Sequence, residues 1–212
     1  MEGKKGQPER QNSEQAIMEA AEELFLENGY NMTTTTRIAA KAGVTHAMLH
    51  YYFRTKEHIF IKVLDKYMDE LLASFKPLMK KDAPFWETME AGISAHFDFL
   101  MERPQLPALL YDTVRFNPEL LGTYKERVAG VLRRIMSAHG DMLEKEMAAG
   151  RVRRVDPVQL MIDIVSLNFS AFLLLPAARN MFGEMEPGRT GKILAGRKEE
   201  IITLVRSRLY GE

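Results

Sequence analysis

The chain has 212 residues, with 29 Lys and Arg against 29 Asp and Glu, so its net charge of +0 excludes a globally basic nucleic-acid binder. It contains no cysteine, which excludes disulfides, thiolate metal sites and cysteine redox sensing within the chain. Hydrophobic residues at 46% and charged residues at 27% suit an ordinary globular protein, with room for one sizeable helical domain and a small module.

Residues 1–11 read as a disordered polar tail without the apolar core of a signal peptide. A helix is expected from about Asn12 or Ser13 to Glu27, with Ile17, Ala20, Ala21, Leu24 and Phe25 on one face. Asn28-Gly29 stops it, because glycine takes a left-handed conformation at little cost. Thr33 and Thr34 offer caps for a second helix ending near Ala42, where Gly43 forces a turn. Thr45 caps a third, short helix reaching about Phe53.

From Lys56 a long helix carries Ile59, Phe60, Val63, Leu64, Tyr67, Leu71 and Phe75, and ends before Pro77 and the Lys80-Lys81-Asp82 run. Another is expected from about Pro84 to Glu102. Pro104 and Pro107 then bracket a kinked connection to a short helix ending at Phe116. Asn117-Pro118 and Asp156-Pro157 both read as a cap followed by proline in the first turn. The first of these helices runs to about Ala149, with Gly150 as its stop. The second is broken near Pro176, residues 183–191 read as loop, and a last helix carries Ile201, Leu204, Val205 and Leu209. No segment alternates with period two, so the fold class is all-α. Ile164–Ala178, the longest stretch without a charge, falls short of the ~18 apolar residues of a spanning helix, so no membrane partner and a cytoplasmic location are expected.

The spacing that carries function is that of Ala39, Gly43, Leu49 and Tyr52, which stand four, six and three residues apart. A helix-turn-helix needs a small residue where its helices cross, a glycine in the tight turn and apolar anchors on the second helix. Ile38, Val44 and Phe53 complete the inner face, placing the motif between about Thr34 and Phe53. Thr45, His46, Ala47, His50 and Tyr51 are then left to face a major groove. From Asn28 to Lys56 there is no Asp or Glu, while Arg37, Lys41, Arg54 and Lys56 are present, a local charge pattern suited to phosphate. Thr34, Thr35 and Thr36 add hydroxyls and helix-terminal amides for phosphate oxygens.

Gly29-Tyr30, Thr33-Thr34, Ile38-Ala39, Ala42-Gly43-Val44-Thr45, Leu49, Tyr52-Phe53 and Lys56-Glu57 together resemble the signature of the tetracycline-repressor (TetR) family over about Ile17–Phe60. Beyond it, only Gly150-Arg151-Val152, Val155-Asp156-Pro157 and the C-terminal amphipathic helix are similar to the family's variable domain. The resemblance implies about nine helices: a three-helix DNA-binding domain at 12–55 and a larger effector-binding and dimerisation domain at 56–212. It implies a homodimeric repressor on palindromic operator DNA, with contacts at positions matching Thr35, Thr36, His46, His50, Tyr51 and Lys56. His50 departs from the pattern, since a tyrosine contacting phosphate is usual there; an imidazole can also donate, more strongly when protonated.

Trp86, Met89, His96, Phe97, Phe99, Tyr111, Phe116, Tyr124, Asn168 and Phe172 are candidates to line a cavity for an apolar or amphipathic effector, or are simply core. Leu160, Ile164, Leu167 and Ala171, with Ile201, Leu204 and Val205, are candidates for a two-fold four-helix interface, or again for core. His46 and His50 have the spacing of a metal pair but lack a third ligand, so no metal is expected. No Gly-rich phosphate loop, H-E-x-x-H or nucleophile elbow is present, so neither cofactor nor catalytic residue is expected. The alternatives to a ligand-responsive regulator are a helical adaptor for a protein partner and, behind it, an enzyme built on a helical scaffold.

Overall fold

The computed structural model describes residues 6–75, 83–182 and 189–211. Among them nine helices form, and no strand: α1 (Gly6–Met32), α2 (Thr35–Lys41), α3 (His46–Phe53), α4 (Lys56–Phe75), α5 (Phe85–Met101), α6 (Leu106–Phe116), α7 (Pro118–Ala148), α8 (Pro157–Phe182) and α9 (Arg189–Tyr210). The chain divides into two compact units, Met1–Glu70 with Leu109–Tyr124, and Leu71–Ala108 with Lys125–Glu212. The first unit therefore extends past the 12–55 span of the sequence reading, taking in most of α4.

In the first unit α1, α2 and α3 pack on one another. The apolar face of α1 is buried as its spacing predicts, through Ile17, Ala20, Ala21, Leu24 and Phe25. Ile38 and Ala39 of α2, Leu49 and Phe53 of α3, and Ile59, Phe60, Val63, Leu64 and Tyr67 of α4 are buried in the same unit. Phe60 sits between two aromatic partners, 5.0 Å from the Phe25 ring centroid and 4.8 Å from that of Tyr30. Tyr124 donates from Oη to the Leu64 carbonyl at 2.8 Å.

Local chemistry sets the helix ends. Gly29 breaks the α1 geometry at φ 72°, and Gly43 makes the α2–α3 turn at φ 67°. Thr34 and Thr45 are the caps, each accepting at 3.2 Å, from the Arg37 and Met48 amides respectively. Thr33, fully buried, instead donates to the carbonyls of Leu24 and Gly29 and so fastens the end of α1. Thr45→Ala is expected to cost about 1 kcal/mol, since the α3 amide loses its acceptor; a urea titration with an unchanged midpoint would contradict this.

In the second unit α5, α8 and α9 pack together. Ile93, Phe97 and Leu100 of α5, Leu160, Ala171 and Phe172 of α8, and Ile201, Val205 and Leu209 of α9 are buried. Ion pairs join the helices at the rim: Lys198 with Asp98 at 3.0 Å, and Arg208 with Asp163. Gly150 at φ 68° ends α7 as expected, and Asp156 Oδ1 accepts from the Gln159 amide at 2.8 Å at the start of α8.

Four expectations are revised. Residues 6–11 belong to the first turns of α1, where Pro8 is tolerated because its missing N–H would lack a helical partner anyway; residues 1–5 of the expected tail lie outside the described residues. The helix α8 continues through Pro176 to Phe182, the proline forfeiting one backbone bond without ending it. Of the expected 183–191 loop, 183–188 lie outside the described residues and 189–191 are already helical. Finally, Pro157–Ala178 is long and apolar enough to cross a bilayer by length and composition once Asp163 is included. Yet Asp163 is ion-paired, and Asn168 on the same helix is buried and hydrogen-bonded across to α5. These are features of a helix packed within a protein.

Candidate nucleic-acid interface

The buried side of α3 carries Leu49 and Phe53, with Tyr52 half-buried, and this anchoring turns a polar face outward. Thr45, His46, Ala47, His50 and Tyr51 are all exposed, Tyr51 to 68%. Thr34, Thr36 and Arg37 at the start of α2 are exposed too, with Thr35 half-buried. Spacing did not single out Met48, yet it is exposed on the same helix, and Arg54 of the basic pattern is exposed beside it. Met48 follows Thr45 by three residues, a relation visible once the helix is placed. Arg54 ends α3 at φ 47°, a conformation that L side chains seldom adopt.

Several of these side chains are held in place by contacts with one another and with the backbone. Thr35 Oγ1 and His46 Nε2 are 3.0 Å apart, tying the first turns of α2 and α3 together. The His46 and His50 rings meet edge to face at 4.3 Å. His50 Nδ1 lies 2.8 Å from the Arg54 carbonyl oxygen. That oxygen can only accept, so the Nδ1 proton is donated there and Nε2 of the neutral ring carries a lone pair. The imidazole therefore cannot donate outward unless it is doubly protonated, a restriction that the residue type alone does not reveal.

The acid-free window is less basic in space than in sequence. Lys41 pairs with Glu23 of α1 at 2.5 Å. Arg37 donates to the Met32 carbonyl at 3.0 Å and to Asn28 Oδ1 at 3.4 Å. Lys56 Nζ donates to the Tyr30 carbonyl at 2.9 Å and sits 4.0 Å above the Tyr30 ring centroid. Burial lowers the Lys56 pKa, and raises that of the Tyr30 phenol with help from Glu57 and Glu119. Lys56 thus clamps the end of α1 to the start of α4. Among the described residues no group of three or more His, Asp or Glu is placed to hold a metal ion.

Residues 17–63 match the family model described as bacterial regulatory proteins, tetR family. Those residues make up a DNA-binding domain of the TetR family of transcriptional regulators. The regulator is 24% identical over 192 residues to the fatty acid metabolism regulator protein of Bacillus subtilis, covering 90% of this chain and 89% of that protein. It is 27% identical over 149 residues to RutR, an HTH-type transcriptional regulator of Escherichia coli, covering 70% and 68%. Among solved structures, FadR from Bacillus subtilis in complex with stearoyl-CoA superposes with a TM-score of 0.66 at 20% identity, covering 92% of this chain and 98% of that one. HlyIIR, a hemolysin II transcriptional regulator, gives 0.65 at 21% identity, covering 95% and 98%. The structural likenesses establish a shared all-α fold, with the helix-turn-helix unit N-terminal to a helical C-terminal domain. The family is non-enzymatic and binds DNA.

The regulator's other candidate residues fall into separate groups. In the second unit His96, Phe97, Asn168 and Phe172 come together: Asn168 bonds to His96, and the Phe97 and Phe172 rings are 5.5 Å apart. Phe99 is buried on the same helix, while Trp86 and Met89 are half-buried near its start. Trp86 packs edge-on against Tyr210 at 5.8 Å. Tyr111 and Phe116 are exposed, and Tyr124 belongs to the first unit, bonded to Leu64. Of the interface candidates, Leu160, Ala171, Ile201 and Val205 are buried within the second unit, Ile164 and Leu167 are half-buried, and Leu204 is exposed. The open apolar side chains of α8 are instead Val158, Ile162, Val165, Leu174 and Met181.

Proposed function

We propose that this regulator is a ligand-responsive repressor that acts in the cytoplasm and binds palindromic operator DNA as a homodimer. The observation that carries the DNA half is the exposed polar face of α3, held outward by Leu49 and Phe53 and tied to α2 through Thr35 and His46. Residues 12–55 form the reading module in this account, and residues 56–212 the effector and dimerisation part. The unpartnered apolar residues Val158, Ile162 and Val165 recur at helical spacing along α8, and with Leu204 of α9 they supply the face for a second copy. The effector is apolar or amphipathic. The likeness to a fatty acid metabolism regulator over nine-tenths of the chain favours acyl compounds, the class that includes the stearoyl-CoA held by FadR.

An effector releases DNA only if it binds the DNA-incompetent arrangement better than the competent one. The test is fluorescence anisotropy with a DNA sequence selected in vitro, titrated with long-chain acyl-CoA. Loss of anisotropy at unchanged protein concentration is the expected result; tight DNA binding that no apolar ligand alters would remove the induction half.

Tyr51→Ala should weaken operator binding by about tenfold to a hundredfold while leaving helix content intact. His50→Tyr should strengthen it a few-fold, because a phenol donates to phosphate without taking up a proton. Unchanged or weaker binding by His50→Tyr would show that the ring's lone pair, rather than a donor, is what the DNA requires.

A further inference from the structure

We propose that His96 and Asn168 form the recognition point for an uncharged group of the effector that both donates and accepts a hydrogen bond. Alcohols and carboxamides have that chemistry, the carboxamides in the pantetheine arm of an acyl-CoA included. The inference rests on the effector-responsive reading above and names the ligand class it would obey.

Asn168 is fully buried, and its Nδ2 lies 2.9 Å from His96 Nδ1 and 3.4 Å from the Ile93 carbonyl oxygen. A carbonyl oxygen only accepts, so the amide NH2 must be the group facing Ile93 and His96, and both its hydrogens are used. His96 Nδ1 is therefore the acceptor, and the neutral ring carries its proton on Nε2. The pair consequently presents one donor, the His96 Nε2–H, and one acceptor, Asn168 Oδ1. That oxygen is buried and has no hydrogen-bond partner among the described residues.

A buried amide oxygen without a partner is unfavourable, and a ligand donor reaching it recovers the loss. The surroundings are apolar: Ile93, Phe97 and Phe172 are buried, and the Phe169 ring is 5.9 Å from that of His96. Burial lowers the His96 pKa to about 4, so at neutral pH the ring offers no positive charge to a carboxylate. Asn168 Oδ1 would repel such an anion and gains nothing from an ester, which only accepts. Hydroxyl and amide groups satisfy both partners at once.

The test is isothermal titration of the full-length protein at pH 8 with dodecanol, dodecanamide, methyl dodecanoate and dodecanoate, four probes sharing one apolar body. Dodecanol and dodecanamide are expected to bind about tenfold more tightly than the methyl ester, and dodecanoate more weakly than any of them. Asn168→Leu should bring dodecanol to the affinity of the ester without weakening the ester itself. The ranking by the unmodified protein stands alone if that variant fails to fold. Equal affinities for alcohol and ester, as expected if a buried water already serves Oδ1, would overturn the assignment, and so would tightest binding of dodecanoate. Failure of all four probes to bind would overturn the assignment, while release of DNA in the acyl-CoA titration would still uphold the effector reading.

Discussion

Phe60→Ala is expected to lower the stability of the folded chain by about 3–5 kcal/mol. The ring is fully buried and touches Phe25 and Tyr30 at centroid distances of 5.0 and 4.8 Å. Removing it forfeits the transfer energy of the side chain, leaves a cavity between α1 and α4, and breaks two aromatic pairs, each worth about 0.5–1.5 kcal/mol beyond area. The same cluster supports Tyr30, whose carbonyl holds Lys56. The α1–α4 clamp should therefore loosen with the core. Urea unfolding followed by helical circular dichroism measures the effect, and a loss below about 1 kcal/mol would mean that the neighbouring side chains collapse into the space.

The second large effect is a pH dependence of stability centred on His96. Its folded pKa is depressed to about 4 from 6.5 by burial. Above pH 6.5 both folded and unfolded chains hold the ring neutral, and the stability is fully present. As pH falls from 6.5 toward 4, the unfolded chain takes up a proton that the folded chain refuses, so stability falls. The lost stabilisation approaches about 3 kcal/mol at the lower limit. Carboxylates titrate over part of the same range, so the readout is the difference between the parent and His96→Gln. The parent should lose stability more steeply with falling pH, by one proton at most, and parallel curves would show that His96 is solvated enough to protonate in the folded state.

Much of the helical plan is legible in the sequence because the chain punctuates itself strongly. Gly29, Gly43 and Gly150 adopt the positive φ that their positions predicted, and Thr34, Thr45 and Asp156 cap as their types suggest. The helix-turn-helix is legible for a further reason: the small, turn and anchor residues lie close in sequence, so spacing alone fixes their geometry.

What spacing cannot see is any bond between distant segments. The Lys41–Glu23 pair neutralises part of a window that looked uniformly basic, and the Tyr30–Lys56 contact engages an ammonium that looked free. The His50 tautomer depends on a carbonyl at the helix end, so residue type gave the chemistry but not its direction. Helix α8 is apolar on more than one side, and periodicity then fails to say which stripe faces its own chain. Leu160 and Ala171 lie inward, whereas Val158, Ile162 and Val165 remain open. Tyr111 and Phe116 show the converse, aromatic residues at core-like spacing that are exposed. Asn168 and His96 stand in the sequence only as candidates for a cavity or core, and the fold reveals that each is the other's hydrogen-bond partner.

The most direct test of the central claim, that α3 is the DNA-reading helix of a TetR-family regulator, is a hydroxyl-radical footprint on the DNA selected in vitro by the full-length protein. The expected result is a palindromic site with protected half-sites centred about 34–36 Å apart, which Tyr51→Ala no longer protects although it stays folded. Failure to enrich any sequence, or an unchanged footprint by Tyr51→Ala, would contradict it.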